Sequence, residues 1–165
     1  MNKRTEIDEE RSQLSVDLAN EDDLGAVVRG HIRIESLLVR YINAKLKYPK
    51  HIESQRFGYY ERSSLALALG LRGELKGPLR ALGSIRNDFA HSANVIISEK
   101  NYIDFISSFS KGDKSVFEKS IENLGKNTGF DINKLTHRDL FRGALSTLWA
   151  ACRVEVKFAE ESKIE

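Results

Sequence analysis

The chain has 165 residues, a length typical of one domain that buries about two-thirds of the surface its unfolded form exposes. Hydrophobic residues make up 41% of it and charged residues 30%, with only two prolines. This composition excludes disordered, collagen-like and membrane-spanning classes and favours a helix-rich globular domain. The 26 basic and 24 acidic side chains nearly cancel, to a formal charge of +2, so a site for nucleic acid or another anion must be local.

The cysteine content and the absence of long apolar runs bear on the cellular compartment. Cys152 is the one cysteine, so it cannot form an internal disulfide, and it falls within a predicted core helix, which favours an inert buried thiol over a nucleophile. No window approaches the roughly 20 apolar residues that a membrane helix needs, and the charged N-terminus is not followed by the apolar stretch of an export signal. We therefore expect a cytoplasmic protein without membrane contact.

The first part of the chain predicts one long helix after a short extension. Residues 1–19 alternate charges with small apolar side chains and predict a short or frayed helix, an N-terminal extension to a single domain over residues 20–165. Asn20 is a helix-capping residue, and the three acids after it suit the positive end of a helix dipole. The helix is predicted to end near Tyr48-Pro49, and its apolar positions recur at helical spacing: Leu24, Val27, Val28, Ile34, Leu38, Tyr41, Ile42 and Leu46.

The central part predicts two further helices. One runs from about residue 53 to residue 69 and is closed by two glycines, Gly70 and Gly73. Gly77-Pro78 opens the next, because proline is pre-organised for a first helical turn and lacks an N–H that would be unpaired there. That helix is predicted to end at His91-Ser92-Ala93-Asn94.

The C-terminal part predicts the remaining helices. After the β-prone run Val95-Ile96-Ile97, Ser98 is predicted to cap one helix and Asp113 another. Thr136 and Asp139 resemble a capping box before a long C-terminal helix. The sequence thus predicts an all-α, single-domain bundle of five to six helices.

The helix that Gly77-Pro78 opens ends in Arg86-Asn87-Asp88-Phe89-Ala90-His91, hereafter the 86–91 motif. At 100° per residue Arg86 falls inside the arc of its apolar neighbours Leu79, Leu82, Ile85 and Phe89. Burying an unpaired guanidinium costs several kcal/mol, so Arg86 should meet a carboxylate, a second subunit or an anionic ligand. Spacing alone leaves open a purely structural ion pair with Glu35 or Asp88.

Three segments together resemble the central signature of the mannitol-repressor-like family. They are Phe57-Gly58-Tyr59-Tyr60, the leucine- and alanine-rich run over residues 65–71, and the 86–91 motif. The motif is also similar to that of the wider HEPN group, in which an arginine followed by a polar residue precedes a histidine. The resemblance covers roughly residues 20–110 and implies a HEPN-like bundle that forms a homodimer, with two motif copies across a shared cleft.

Two functions are compatible with this resemblance. The mannitol-repressor-like branch implies a regulator of gene expression that binds RNA, or a protein such as an antitoxin or operon regulator, through Arg86, Asn87, Asp88 and Glu35. Catalytically active HEPN proteins imply instead a metal-independent endoribonuclease of toxin or phage-defence type. There His91 would act as general acid or base, Arg86 would hold the scissile phosphate, and Asn87 would orient it. Neither function calls for a cofactor or a metal ion.

Other patterns favour structural explanations. His31 and Glu35 lie four residues apart on one helix, but a metal site needs more ligands, so a solvent-facing or interhelical hydrogen bond is favoured. Residues 64–82 vaguely resemble a helix-turn-helix, yet they leave few exposed side chains to contact bases, and core packing explains them better. Lysines around Pro49 and over residues 111–126 are expected to be solvated surface charges unless they adjoin the motif.

Overall fold

A computed structural model describes residues 3–53, 55–92 and 95–163, and within them it has seven α-helices and no strand. The helices are α1 (Lys3–Ala19), α2 (Asp23–Lys45), α3 (Tyr59–Ala68), α4 (Lys76–Ala90), α5 (Glu99–Ser107), α6 (Lys111–Thr128) and α7 (His137–Ser162). Single 3-10 turns lie at Pro49–His51, Gly73–Leu75 and Ile132–Lys134. The predicted all-α bundle is confirmed, with one helix more than the five to six expected.

The longest helix, α7, is the centre of the bundle. It packs against α1, α2, α5 and α6, while α3 and α4 cover another side of α2. Phe141, Leu145 and Leu148 of α7 are fully buried, as is Ile34 of α2. No helix in the described part of the chain is long and apolar enough to cross a membrane.

The N-terminal segment is the additional helix, and here the expectation of a short or frayed extension is wrong. α1 has 17 residues, and its Ile7, Leu14 and Leu18 are buried in the common core. Its outer edge is tied to α7 by two hydrogen bonds from Arg153 to the carboxylate of Glu10, at 2.8 and 3.2 Å. This segment has few apolar positions, so its sequence alone did not predict a full helix. Packing and ion pairing with α7 stabilise the helix.

Several helix boundaries differ from those the sequence predicts. Asp22, not Asn20, caps α2 by accepting a hydrogen bond from the backbone N–H of Gly25, and α2 ends at Lys45 rather than near Pro49. The next helix, α3, begins at Tyr59 and not near residue 53. α4 ends at Ala90 with His91 as its C-cap, where the predicted end His91-Ser92-Ala93-Asn94 begins. Ala93 and Asn94 lie outside the described residues, as do Met1, Asn2, Ser54 and the last two residues of the chain.

Two predicted caps are confirmed and one is corrected. Ser98 and Thr136 each form a complete capping box, the latter with Asp139. Ser110, not Asp113, caps α6: its hydroxyl oxygen accepts from the backbone N–H of Asp113 and donates to the Asp113 carboxylate at 2.8 Å. The β-prone run before Ser98 forms no strand, and its Ile97 is fully buried in the core.

Asp23 anchors the chain where it leaves the 86–91 motif. Its buried carboxylate accepts a hydrogen bond from the backbone N–H of Ile97 at 2.8 Å. The same carboxylate pairs with Arg138 at 3.2 Å and with Arg142 at 3.0 Å, both in α7. One side chain thus joins the start of α2, the segment after α4 and the first turns of α7.

We expect Asp23→Asn to lower the free energy of unfolding by about 3 kcal/mol, because it leaves a largely buried Arg142 without its opposite charge. The matched control is Asp17→Asn, which removes a longer, more exposed pair with Arg33 at 3.4 Å and should cost less than about 1 kcal/mol. Urea denaturation followed by circular dichroism measures both. Equal losses for the two variants would contradict the anchoring role of Asp23.

Candidate functional site

The burial pattern of α4 exposes the polar side chains of the 86–91 motif. Leu79 and Leu82 are fully buried, and Ile85 and Phe89 nearly so, while Arg86, Asn87, Asp88 and His91 are all exposed. The expectation that Arg86 lies at a buried margin is therefore wrong. The apolar side chains of α4 are slightly less buried towards its C-terminal end, and Arg86 is exposed to solvent there.

A small cleft of about 240 Å³ lies where α2, the first turn of α3 and α4 meet. Its lining residues are His31, Glu35, Gly58, Tyr59, Tyr60, Glu61, Gly83, Arg86 and Asn87. The structure thus brings together three of the five predicted site residues, Glu35, Arg86 and Asn87. Asp88 and His91 do not line this cleft.

Glu35 is paired with a different arginine from the one expected. Its Oε1 lies 2.5 Å from Nη1 of Arg62 in α3. Glu35 therefore does not form the ion pair with Arg86 that the spacing left open. Arg86 instead donates a hydrogen bond from Nη1 to Oδ1 of its neighbour Asn87 at 3.2 Å. Within the described residues Arg86 has no carboxylate partner, and most of its donors remain available.

His91 ends the helix that carries the motif. It is the C-cap residue of α4, and its backbone N–H donates to the carbonyl oxygen of Asp88 at 3.3 Å. Its exposed imidazole stands outside the cleft that Arg86 lines. A substrate on which both Arg86 and His91 act would therefore have to contact them outside this cleft.

His31 is the functional candidate that sequence reasoning undervalued. Its side chain is only 7% exposed, and its ring centroid lies 4.2 Å from that of Tyr59. Tyr59 itself is fixed, since its hydroxyl donates to the carbonyl oxygen of Leu79 at 2.8 Å. The His31 ring makes no hydrogen bond with the described residues, so the predicted solvent-facing or interhelical hydrogen bond is absent there and a ring contact replaces it.

The surroundings of His31 favour its neutral form. Burial lowers the pKa of the imidazole; the carboxylate of Glu35 opposes that effect, and the charge of Arg86 adds to it. A neutral imidazole offers one hydrogen-bond donor and one acceptor to whatever occupies the cleft.

Gly83 makes room for the two tyrosines of α3. A Cβ at this position would lie 2.9 Å from Cε1 of both Tyr59 and Tyr60, closer than side chains tolerate. Without that Cβ the Tyr60 ring rests on α4 one turn before Arg86 and Asn87, and it remains 42% exposed. The sequence shows a glycine inside a predicted helix and two adjacent tyrosines in the helix before it. Only the packing of α3 on α4 shows that the glycine and the tyrosines meet.

Two other candidates contribute nothing to this site. Cys152 is buried as expected, and burial raises the pKa of its thiol to about 12, which suits an inert core residue. The described residues contain no group of three or more histidine, cysteine, aspartate or glutamate side chains that could hold a metal ion.

Comparisons with protein-family models, with curated proteins and with solved structures give no match for this chain. The site is therefore characterised by its own chemical groups. It consists of an exposed guanidinium without a carboxylate partner in the described chain, a buried imidazole and a partly exposed tyrosine ring.

We expect the stability of the protein to fall as the pH drops from about 7.5 to 5.5, partly through His31. Because the native state lowers the pKa of His31, the unfolded chain binds a proton near its ordinary value of about 6.5 more readily than the folded one does. The contribution of His31 is thus fully present above that value and is lost as the pH falls below it. His31→Gln should flatten the pH dependence measured by urea denaturation.

The matched control for this prediction is His51→Gln, which removes an exposed histidine and should leave the slope as in the wild type. An unchanged slope in His31→Gln would show that the buried imidazole does not titrate as expected.

Proposed function

We propose that this protein is a regulator of gene expression of the mannitol-repressor-like, HEPN type. It acts as a cytoplasmic homodimer and binds an anionic partner at the surface around Arg86. The observation that carries the proposal is the exposed guanidinium of Arg86, which has no carboxylate partner within the described residues and is oriented by Asn87. The proposed binding surface consists of Arg86, Asn87, Asp88 and His91, hereafter the motif surface.

Arg86 differs in this respect from most arginines of the chain. Eight others pair with carboxylates: Arg29, Arg33, Arg40, Arg62, Arg72, Arg138, Arg142 and Arg153. Asn87 accepts one hydrogen bond from Arg86, so the planar fork keeps donors for a phosphate or carboxylate oxygen. An arginine that the fold does not use for its own ion pairs is suited to a partner.

The distribution of charge favours a nucleic acid as that partner. Residues 56–91, which contain α3 and α4, hold six basic and three acidic side chains. Arg62 and Arg72 pair with Glu35 and Asp113 outside this segment, which leaves four basic against three acidic side chains there and thus a small positive excess. Phosphate backbones are attracted to such local excesses even when the whole protein is nearly neutral.

The proposal predicts that Arg86→Ala weakens binding of a short single-stranded RNA by about 10-fold, the loss of one charge-assisted contact. It should also reduce the slope of log affinity against log salt by about 0.7. Fluorescence anisotropy at several ionic strengths measures both quantities. Arg29→Ala, an exposed arginine at the start of α2, is the matched control and should bind as the wild type does. Wild-type affinity in Arg86→Ala would refute the role given to this surface.

A second candidate function is a metal-independent endoribonuclease, favoured by the exposure of both Arg86 and His91 at one end of α4. Arg86 would hold the scissile phosphate, and His91 would take the proton of a ribose 2′-hydroxyl. Because His91 does not line the cleft of its own chain, the histidine facing a given Arg86 could come from the other copy in a homodimer.

This alternative predicts RNA cleavage in EDTA that His91→Ala and Arg86→Ala abolish. His51→Ala, which removes an exposed histidine elsewhere, should cleave normally. Gel analysis of labelled RNA gives the result, with circular dichroism and size-exclusion chromatography to show that each variant folds and associates as the wild type does. Intact RNA after incubation with the folded wild type would exclude the nuclease and leave the regulator.

A further inference from the structure

The exposed ring of Tyr60 forms an aromatic wall beside the motif surface. It packs edge-to-face against the buried Tyr59, with an interplanar angle of 74° and a centroid distance of 5.7 Å, so Tyr59 limits its movement. The missing Cβ of Gly83 lets the edge of Tyr60 rest on the backbone of α4. Gly83, Arg86 and Asn87 share one side of α4, so the ring, the guanidinium and the amide border the same opening.

The size of the cleft limits what can enter. At about 240 Å³ it is smaller than the roughly 300–1,000 Å³ of pockets that hold drug-sized ligands, so it admits only a small group. The polar atoms around the cleft include hydrogen-bond donors and acceptors, which are the groups that bind the edge of a heterocycle. The His31 imidazole and the Nδ2 of Asn87 have no partner within the described residues, and Glu61 adds a carboxylate acceptor.

The charges of the cleft distinguish its interior from its edge. The carboxylates of Glu35 and Glu61 line it, so a phosphate would meet repulsion inside. Arg62 neutralises Glu35, whereas Arg86 is exposed and has no carboxylate partner among the described residues. An uncharged ring therefore suits the interior, and an attached phosphate suits the edge at Arg86.

We propose that the cleft is a nucleobase-binding site, in which an unpaired base stacks on Tyr60 while its phosphate contacts Arg86. The inference rests on the proposed function, because that function supplies the nucleic-acid partner, and it adds a base-binding subsite outside the 86–91 motif. Aromatic side chains commonly bind single strands in this way, since every base has a π face and duplex pairing must be absent for stacking. The same chemistry is offered by a base within an RNA strand and by a free mononucleotide.

The test compares binding of a labelled single-stranded RNA of mixed sequence with binding of the same strand annealed to its complement. We expect the single strand to bind more tightly, and Tyr60→Ala to weaken it by about 10-fold. The salt slope should stay unchanged in Tyr60→Ala, because stacking releases no counterion, whereas Arg86→Ala should lower it. Tyr60→Phe keeps the ring and should bind as the wild type does.

Tyr48→Ala is the matched control, because it removes a tyrosine that is 63% exposed and does not line the cleft. Circular dichroism spectra and melting curves establish that each variant is folded. Competition with adenosine monophosphate separates the two sources: displacement by the free nucleotide as effective as by unlabelled strand assigns the cleft to mononucleotides, and displacement by the strand alone assigns it to RNA.

Wild-type affinity in folded Tyr60→Ala, or equal affinity for duplex and single strand, would overturn the nucleobase site. If Arg86→Ala is weakened at the same time, the proposed anion-binding function stands without it. If Arg86→Ala also binds normally, the proposed function fails as well. Absence of RNA and nucleotide binding by the wild type at low salt overturns the inference directly.

Discussion

The close packing of α2 on α7 is the constraint on which the rest of the bundle depends. A Cβ on Gly30 would lie 2.2 Å from Cδ2 of the fully buried Leu145, so the two helices can approach this closely only because position 30 carries no side chain. Interiors packed at this density do not absorb an added methyl group without displacement. His31 and Glu35 follow directly on α2, so the same contact sets where one wall of the cleft lies.

Ion pairing within the bundle explains why the motif surface remains available. Glu35, the carboxylate nearest the cleft on α2, is held by Arg62, and Asp23 is held by two arginines of α7. Arg86 is left with Asn87 as its hydrogen-bond acceptor within the described residues. Asp23 also accepts a hydrogen bond from the backbone N–H of Ile97, which ties the segment before α5 to the start of α2.

The two candidate functions use the same arginine and differ in what they require of His91. A regulator needs only an anchored phosphate or carboxylate, which Arg86 and Asn87 can bind. A nuclease needs in addition an imidazole at the reacting ribose, and His91 lies outside the cleft of its own chain. A base held against Tyr60 is compatible with both, because it would fix one nucleotide relative to Arg86.

The sequence by itself determined the helical class, the buried stripe of α4, the helix caps at Ser98 and Thr136 and the position of the motif at a helix end, because periodicity and capping are local properties. Tertiary structure alone decided that α1 is a full helix, that Glu35 pairs with Arg62, and that Arg86 is exposed at the edge of a cleft. It also brought His31, Tyr60 and Gly83 together. These outcomes depend on which helices touch and how closely, and helical spacing within one segment carries no information about the surface that a different helix presents to it.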